Sequence, residues 1–140
     1  MKGNVQTNLI DLIGGVEIIE KIHHHFYDIL FNDSKLKYYF AGKDKALLTS
    51  QQTRFMSGLL GAAKNYGGLT PKFAHKHMVI SDELYSYRQE LLKKSILHYG
   101  VSEEVTDKWI SVDEKFRNVV VKTRNEAVMR YPKEGIIDFT

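Results

Sequence analysis

The sequence predicts an all-α protein. Only two prolines, Pro71 and Pro132, interrupt its 140 residues, and its ten glycines gather in a few places. Between these breaks, apolar residues recur at three- and four-residue spacing over long stretches, the period of a helix with one buried face.

Gly14-Gly15 separates a short leading helix, about residues 7–13, from a longer one that begins near Val16. On that second helix Ile19, Ile22, Phe26, Ile29 and Leu30 form a buried stripe, and Asn32-Asp33-Ser34 ends it. A compact aromatic turn follows, Tyr38-Tyr39-Phe40-Ala41-Gly42. The next helix is expected over about 44–60, with Leu48, Gln52, Phe55 and Leu59 turned inward. Gly61 and Gly67-Gly68 enclose a loop before Pro71, which suits the first turn of a short helix carrying His75 and ending near Met78. Ser81 reads as an N-cap, with Asp82 and Glu83 complementing the positive helix end; this helix runs to about Tyr99, where Gly100 stops it. Ser102, Glu103 and Glu104 repeat the device. The last helix buries Val105, Trp109, Val112, Phe116 and Val119 or Val120, and Pro132 ends it. Six or seven helices and no strands are expected.

A chain of this length is expected to form one domain spanning 1–140, with 1–8 as an N-terminal extension and 132–140 as a C-terminal tail. Its content of 43% hydrophobic and 26% charged residues is ordinary for a globular protein and argues against disorder or low complexity. The absence of cysteine excludes disulfides, thiolate metal sites, iron–sulfur clusters, covalently attached c-type haem and a cysteine nucleophile. Asp11 interrupts the apolar N-terminal stretch before it reaches the length of a signal core, and no window approaches a membrane span. A soluble cytoplasmic protein without a membrane anchor is the expectation. The net charge of +3 comes from interspersed signs, and no basic run points to nucleic acid.

Two polar residues fall on stripes that face the core, Gln52 between Leu48 and Phe55, and Tyr27 beside Phe26 and Leu30. A buried polar group without a partner costs about 1–3 kcal/mol, so each requires something to bond. Either they share a partner, or Tyr27 reaches water at the boundary while Gln52 bonds a nearby carbonyl. His75 is a third candidate; a lone helical histidine is either structural or a ligand. His23, His24 and His25 are consecutive and point about 100° apart, so they cannot converge on one ion. There is no H-E-x-x-H motif, Walker loop or G-x-S-x-G elbow.

The ordered set LIGG at Gly14-Gly15, FYDIL at Phe26-Tyr27, YYFAG, QQTRFMSGLLG, the Tyr66/Gly68 loop, AHKHMVIS and HYGVSEE resembles the group I, or N-type, truncated haemoglobins from about Leu9 to the last long helix. The resemblance implies a truncated globin fold, a two-over-two helical sandwich around haem b. It makes His75 the proximal iron ligand and Phe40 the aromatic packed on the porphyrin. Phe26, Tyr39, Leu48, Phe55, Met78, Ile80 and Tyr85 are implied to complete the haem-binding wall. Tyr27 and Gln52, with Gln51, match the distal residues that hydrogen-bond a diatomic ligand. Leu48 stands where many globins place a distal histidine, so a five-coordinate resting iron is implied.

The implied function is reversible binding of dioxygen, nitric oxide and carbon monoxide, for oxygen binding, storage or transport, in a monomer or weak homodimer. The alternative is a nitric-oxide dioxygenase served by an external reductase. A donor aimed at the partial negative charge of bound dioxygen is worth roughly 1.5–3 kcal/mol, which for the Tyr27–Gln52 pair corresponds to roughly 10- to 1000-fold slower dioxygen loss. Two departures from the family pattern stand out. Ala62-Ala63 replaces a usual Gly-Pro, and Arg88 replaces a usual apolar residue. If Tyr85, Arg88 and Leu92 face the haem, the guanidinium enters the pocket or pairs with a propionate. If Leu84, Tyr87 and Leu91 do, Arg88 turns outward to a surface carboxylate.

Overall fold

Chain ends and turns set the helices in the order their capping residues prescribe. The computed structural model describes residues 8–62, 66–132 and 134–139. Helix α1 spans Leu9–Ile13, α2 Val16–Asn32, α3 Lys45–Leu60, α4 Pro71–His75, α5 Asp82–His98, α6 Glu103–Glu114 and α7 Arg117–Val120, with a 3-10 turn at Lys37–Phe40. Side chains of Asp44, Thr70, Ser81 and Ser102 each accept a backbone N–H in the first turn of α3, α4, α5 and α6. Such caps satisfy donors that a helix leaves orphaned and are worth about 1 kcal/mol apiece.

Helix α2 packs along α3 and crosses α5, and α5 packs on α6, so two helix pairs stack as a two-over-two sandwich. Ile19, Ile22, Phe26 and Leu30 of α2 meet Met56, Leu60, Leu92, Ile96 and Trp109 in a continuous core. His23 joins this face in place of Ile29, which is only half-buried. The His23 Nδ1 lies 2.9 Å from the Thr53 hydroxyl and its ring meets Trp109 edge-on at 5.7 Å, which ties α2 to α3 and α6. Burial lowers the His23 pKa to about 3, with Arg88 acting in the same direction, so the ring packs neutral. Its neighbours do otherwise: His24 is exposed beside Asp28, and His25 bonds Ser95.

Helix α1 is pinned to the end of α3 through Asn8. Its side chain accepts the Asp11 N–H at 3.2 Å and donates to the Gly61 carbonyl at 3.3 Å. Gly61 has φ +127°, and a Cβ there would lie 2.7 Å from the Asn8 side chain, so only glycine fits. The Ala62-Ala63 departure falls here; Ala63 lies outside the described residues, as do positions 1–7 of the expected N-terminal extension.

Four expectations are corrected. Of the four α3 residues expected to turn inward, Leu59 is exposed, and the face against the core is Thr49, Thr53, Met56 and Leu60, with Leu48, Gln52 and Phe55 half-buried one residue away. Helix α4 ends at His75, three residues before Met78. The last helix breaks after Glu114 and ends at Val120, twelve residues before Pro132. At that break the Asp113 carbonyl accepts the Tyr85 hydroxyl at 2.6 Å and the Phe116 N–H at 3.1 Å, so it is taken from the N–H four residues on. Lastly, two short strands exist. Met78–Val79, β1, pairs in parallel with Ile137–Asp138, β2. No helix among the described residues is long and apolar enough to cross a membrane.

Candidate functional site

A cavity of about 290 Å³ opens between the two helix pairs. Phe26 and Tyr27 of α2, Tyr39 and Phe40 of the 3-10 turn, and Leu48, Gln51, Gln52 and Phe55 of α3 form one part of its wall. His75 of α4, Met78, Ile80 and Tyr85 of α5 form another, so the sequence-derived candidates all meet at one place. The cavity explains the register of α3. This helix has two inner faces, one against the core and one, a residue away, against the cavity.

The wall is apolar except at a few points. Tyr27 is held by its ring, with Phe26, Phe31 and Phe40 centred 5.5, 6.4 and 6.1 Å away. Its hydroxyl and the amides of Gln51 and Gln52 make no side-chain hydrogen bond among the described residues. Burial pushes the Tyr27 pKa up to about 12 although Arg88 pulls it down, so the hydroxyl keeps its proton and remains a donor. Tyr39 is committed elsewhere: its hydroxyl donates to the Val79 carbonyl at 2.8 Å and ties the 3-10 turn to β1.

Thr70 and Pro71 start α4 so that His75 arrives one turn later. The His75 Nδ1 lies 2.8 Å from the Pro71 carbonyl. A carbonyl only accepts, so Nδ1 carries the proton and Nε2 keeps its lone pair. Burial lowers the His75 pKa to about 4, against the opposing effect of that hydrogen bond, and the imidazole is neutral. A neutral ring with one nitrogen donating to a carbonyl is the state in which histidine ligates a metal. No group of three or more His, Cys, Asp or Glu side chains among the described residues can cage a bare ion. A single imidazole on an apolar slot would fit a metal carried by a cofactor that supplies its other ligands. His77 does not border the cavity; it is fully buried, and its Nε2 is 3.7 Å from Glu134.

The segment presenting His75 is clamped from behind by the chain after α7. Arg130 donates to the Ala74 carbonyl at 3.2 Å, Lys122 to that of His75 at 2.8 Å, the Val128 N–H to that of Lys76 at 2.7 Å and the Ile137 N–H to that of His77 at 2.8 Å. Four consecutive carbonyls are thus each held by a donor from the chain beyond Val120.

The open question at Arg88 is answered by register. Tyr85, Arg88 and Leu92 face inward, and the guanidinium borders the cavity. It forms a two-pronged ion pair with Asp113, 2.8 and 3.0 Å, and Asp113 is buried, so the outward reading toward a surface carboxylate is corrected. Burial opposes its charge, but Asp113 outweighs that and holds the Arg88 pKa above its usual value. Besides Asp113, sequence reasoning missed Lys43, Phe116 and Arg130 as wall residues, and quoted Tyr66 only within a motif. Asp113 had a usable signal, since it lies one helical turn from the buried Trp109; Lys43 and Arg130 had none. The Tyr66/Gly68 pair has a steric cause: a Cβ on Gly68 would come within 2.4 Å of the Tyr66 hydroxyl.

A two-over-two helical sandwich with, among the described residues, one cavity-lining neutral histidine and polar side chains without a partner on an apolar slot defines the globin class of haem protein. A family model described as bacterial-like globin matches residues 8–122, and the chain belongs to that family. Family membership carries haem b with it as the cofactor. Among curated relatives, the group 1 truncated haemoglobin of Tetrahymena pyriformis is 27% identical over 114 residues, covering 81% of this chain and 94% of that protein. Group 1 truncated haemoglobin GlbN of Synechocystis sp. is 25% identical, covering 71% and 83%. The crystal structure of the T. pyriformis protein in its Fe(III) form superposes with a TM-score of 0.79 at 26% identity, covering 84% of this chain and 100% of that one.

Proposed function

We propose that this protein holds haem b through His75 and binds dioxygen and other diatomic gases reversibly, for oxygen binding, storage or transport. One observation carries the reading: a histidine with a fixed Nε2 lone pair shares an apolar cavity with Tyr27, Gln51 and Gln52, whose polar ends have no partner among the described residues. When bound, haem iron supplies a coordination position for a diatomic gas. Phe26, Phe40, Leu48, Phe55, Met78 and Ile80 exclude water from the cavity, and Tyr39 fixes the turn that presents Phe40. Tyr27, protonated at neutral pH, donates a hydrogen bond to a ligand that carries partial negative charge, and the Gln51 and Gln52 amides add donors beside it. Leu48 leaves α3 with no imidazole to offer the cavity, which keeps the gas site open.

The test is spectroscopic: ferric, ferrous and carbonyl absorbance of the purified, haem-reconstituted protein. A Soret band that responds to reduction and carbon monoxide is expected, and its absence would remove this reading. Mixing the oxygenated protein with nitric oxide, then supplying a reductase, separates the enzyme alternative. Sustained nitrate formation would move the assignment from carrier to nitric-oxide dioxygenase.

A further inference from the structure

The Arg88–Asp113 pair links α5 to α6. Ion pairs buried this deeply are commonly matched or bettered in stability by apolar residues of similar size, because desolvation offsets their attraction. What distinguishes the pair is its orientation. Both residues border the cavity, but the Arg88 side chain keeps 24% of its surface accessible and that of Asp113 only 4%. The carboxylate is further covered by Gln89, which donates to it at 3.2 Å, and by Tyr85 at 3.3 Å. Both side chains therefore line the cavity, with the cation the more accessible of the two.

Asp113 takes two of the five guanidinium N–H groups, and the other three have no partner among the described residues. The Arg88 plane is steadied by the Phe26 and Tyr85 rings, centred 5.5 and 5.3 Å from its central carbon. Phe26 also adjoins Tyr27, so Arg88, Phe26 and Tyr27 share one stretch of the cavity wall.

We propose that Arg88 makes this cavity selective for small anions, such as azide or nitrite, over neutral ligands of similar size. An entering anion exchanges its water shell for fixed donors bearing positive charge, whereas carbon monoxide gains nothing comparable. Asp113 positions the guanidinium and limits the strength of the effect by its opposing charge.

The inference rests on the haem reading above, and the two fail differently. Azide and nitrite are titrated into the ferric holoprotein and followed at the Soret band, with carbon monoxide on the ferrous form as the neutral control. Arg88→Met is expected to weaken both anions about tenfold or more, with carbon monoxide changed less than about threefold. Arg88→Lys is expected to fall between. Because Arg88→Met leaves a buried carboxylate unpaired, the double variant Arg88→Met with Asp113→Leu removes both charges and is expected to lose anion affinity equally. Asp113→Asn is expected to tighten anion binding. A wild-type protein without a Soret band overturns the haem reading. Intact Soret bands with anion affinities in both Arg88→Met proteins within about twofold of wild type overturn this one.

Discussion

Replacing Tyr27 by Phe removes a single oxygen from the cavity wall and little else. The ring is held by Phe26, Phe31 and Phe40, and the hydroxyl bonds no protein group among the described residues, so its removal strands no partner. Folding stability is therefore expected to change by less than about 0.5 kcal/mol. Toward a ligand with partial negative charge, a neutral hydroxyl gives a charge-assisted bond worth about 1.5–3 kcal/mol. At about 1.4 kcal/mol per factor of ten, dioxygen should leave roughly 10- to 150-fold faster from the variant. Carbon monoxide, with less charge on its outer atom, should change by less than about threefold. Stopped-flow ligand replacement on the ferrous protein measures both rates, and thermal melts check the fold. An unchanged dioxygen off-rate, or equal changes for the two gases, would refute the donor role of Tyr27.

Three further outcomes are expected. His75→Gly should lose stable haem unless imidazole is supplied, while His77→Ala should keep full haem stoichiometry in a pyridine-haemochrome assay despite a stability loss of about 2 kcal/mol from the cavity it leaves. His23 is neutral in the fold down to about pH 3 but protonates below about 6.5 when unfolded. The unfolded state thus binds the extra proton within that window, and stability falls as pH drops through it, by up to about 1.4 kcal/mol per pH unit. His23→Gln should flatten that slope in urea titrations between pH 4 and 6, and an equal slope would show that His23 does not set it. Ending the chain after Lys122 removes three of the four donors behind α4 and should speed haem transfer to an apoglobin acceptor by about tenfold or more.

Much of the fold was legible because its punctuation is local. Ser81 and Ser102, the two caps read from sequence, act through hydrogen bonds to residues three positions on, and sequence spacing encodes such contacts directly. The cavity wall was legible by resemblance, while only Tyr27, Gln52 and His75 announced themselves by chemistry. What escaped was tertiary. The break after Glu114 depends on a Tyr85 hydroxyl from another helix, and the α3 register on a helix having two inner faces instead of one. Arg88 fits either of two faces by periodicity, and the deciding partner, Asp113, lies 25 residues away. The pairing of β1 with β2 joins dipeptides too short to carry any period.

The clamp on residues 74–77 bears on when disorder is lost. A five-residue helix such as α4 is too short to hold its own shape in water. With four carbonyls fixed by the chain beyond Val120, the conformational entropy of that segment is surrendered as the chain folds and not as the cofactor arrives, so less of the intrinsic binding energy is spent on ordering. Three of those donors, Val128, Arg130 and Ile137, lie past residue 122, where the family match stops. The family-matched stretch supplies the imidazole and one donor, Lys122, and the chain beyond it supplies the other three.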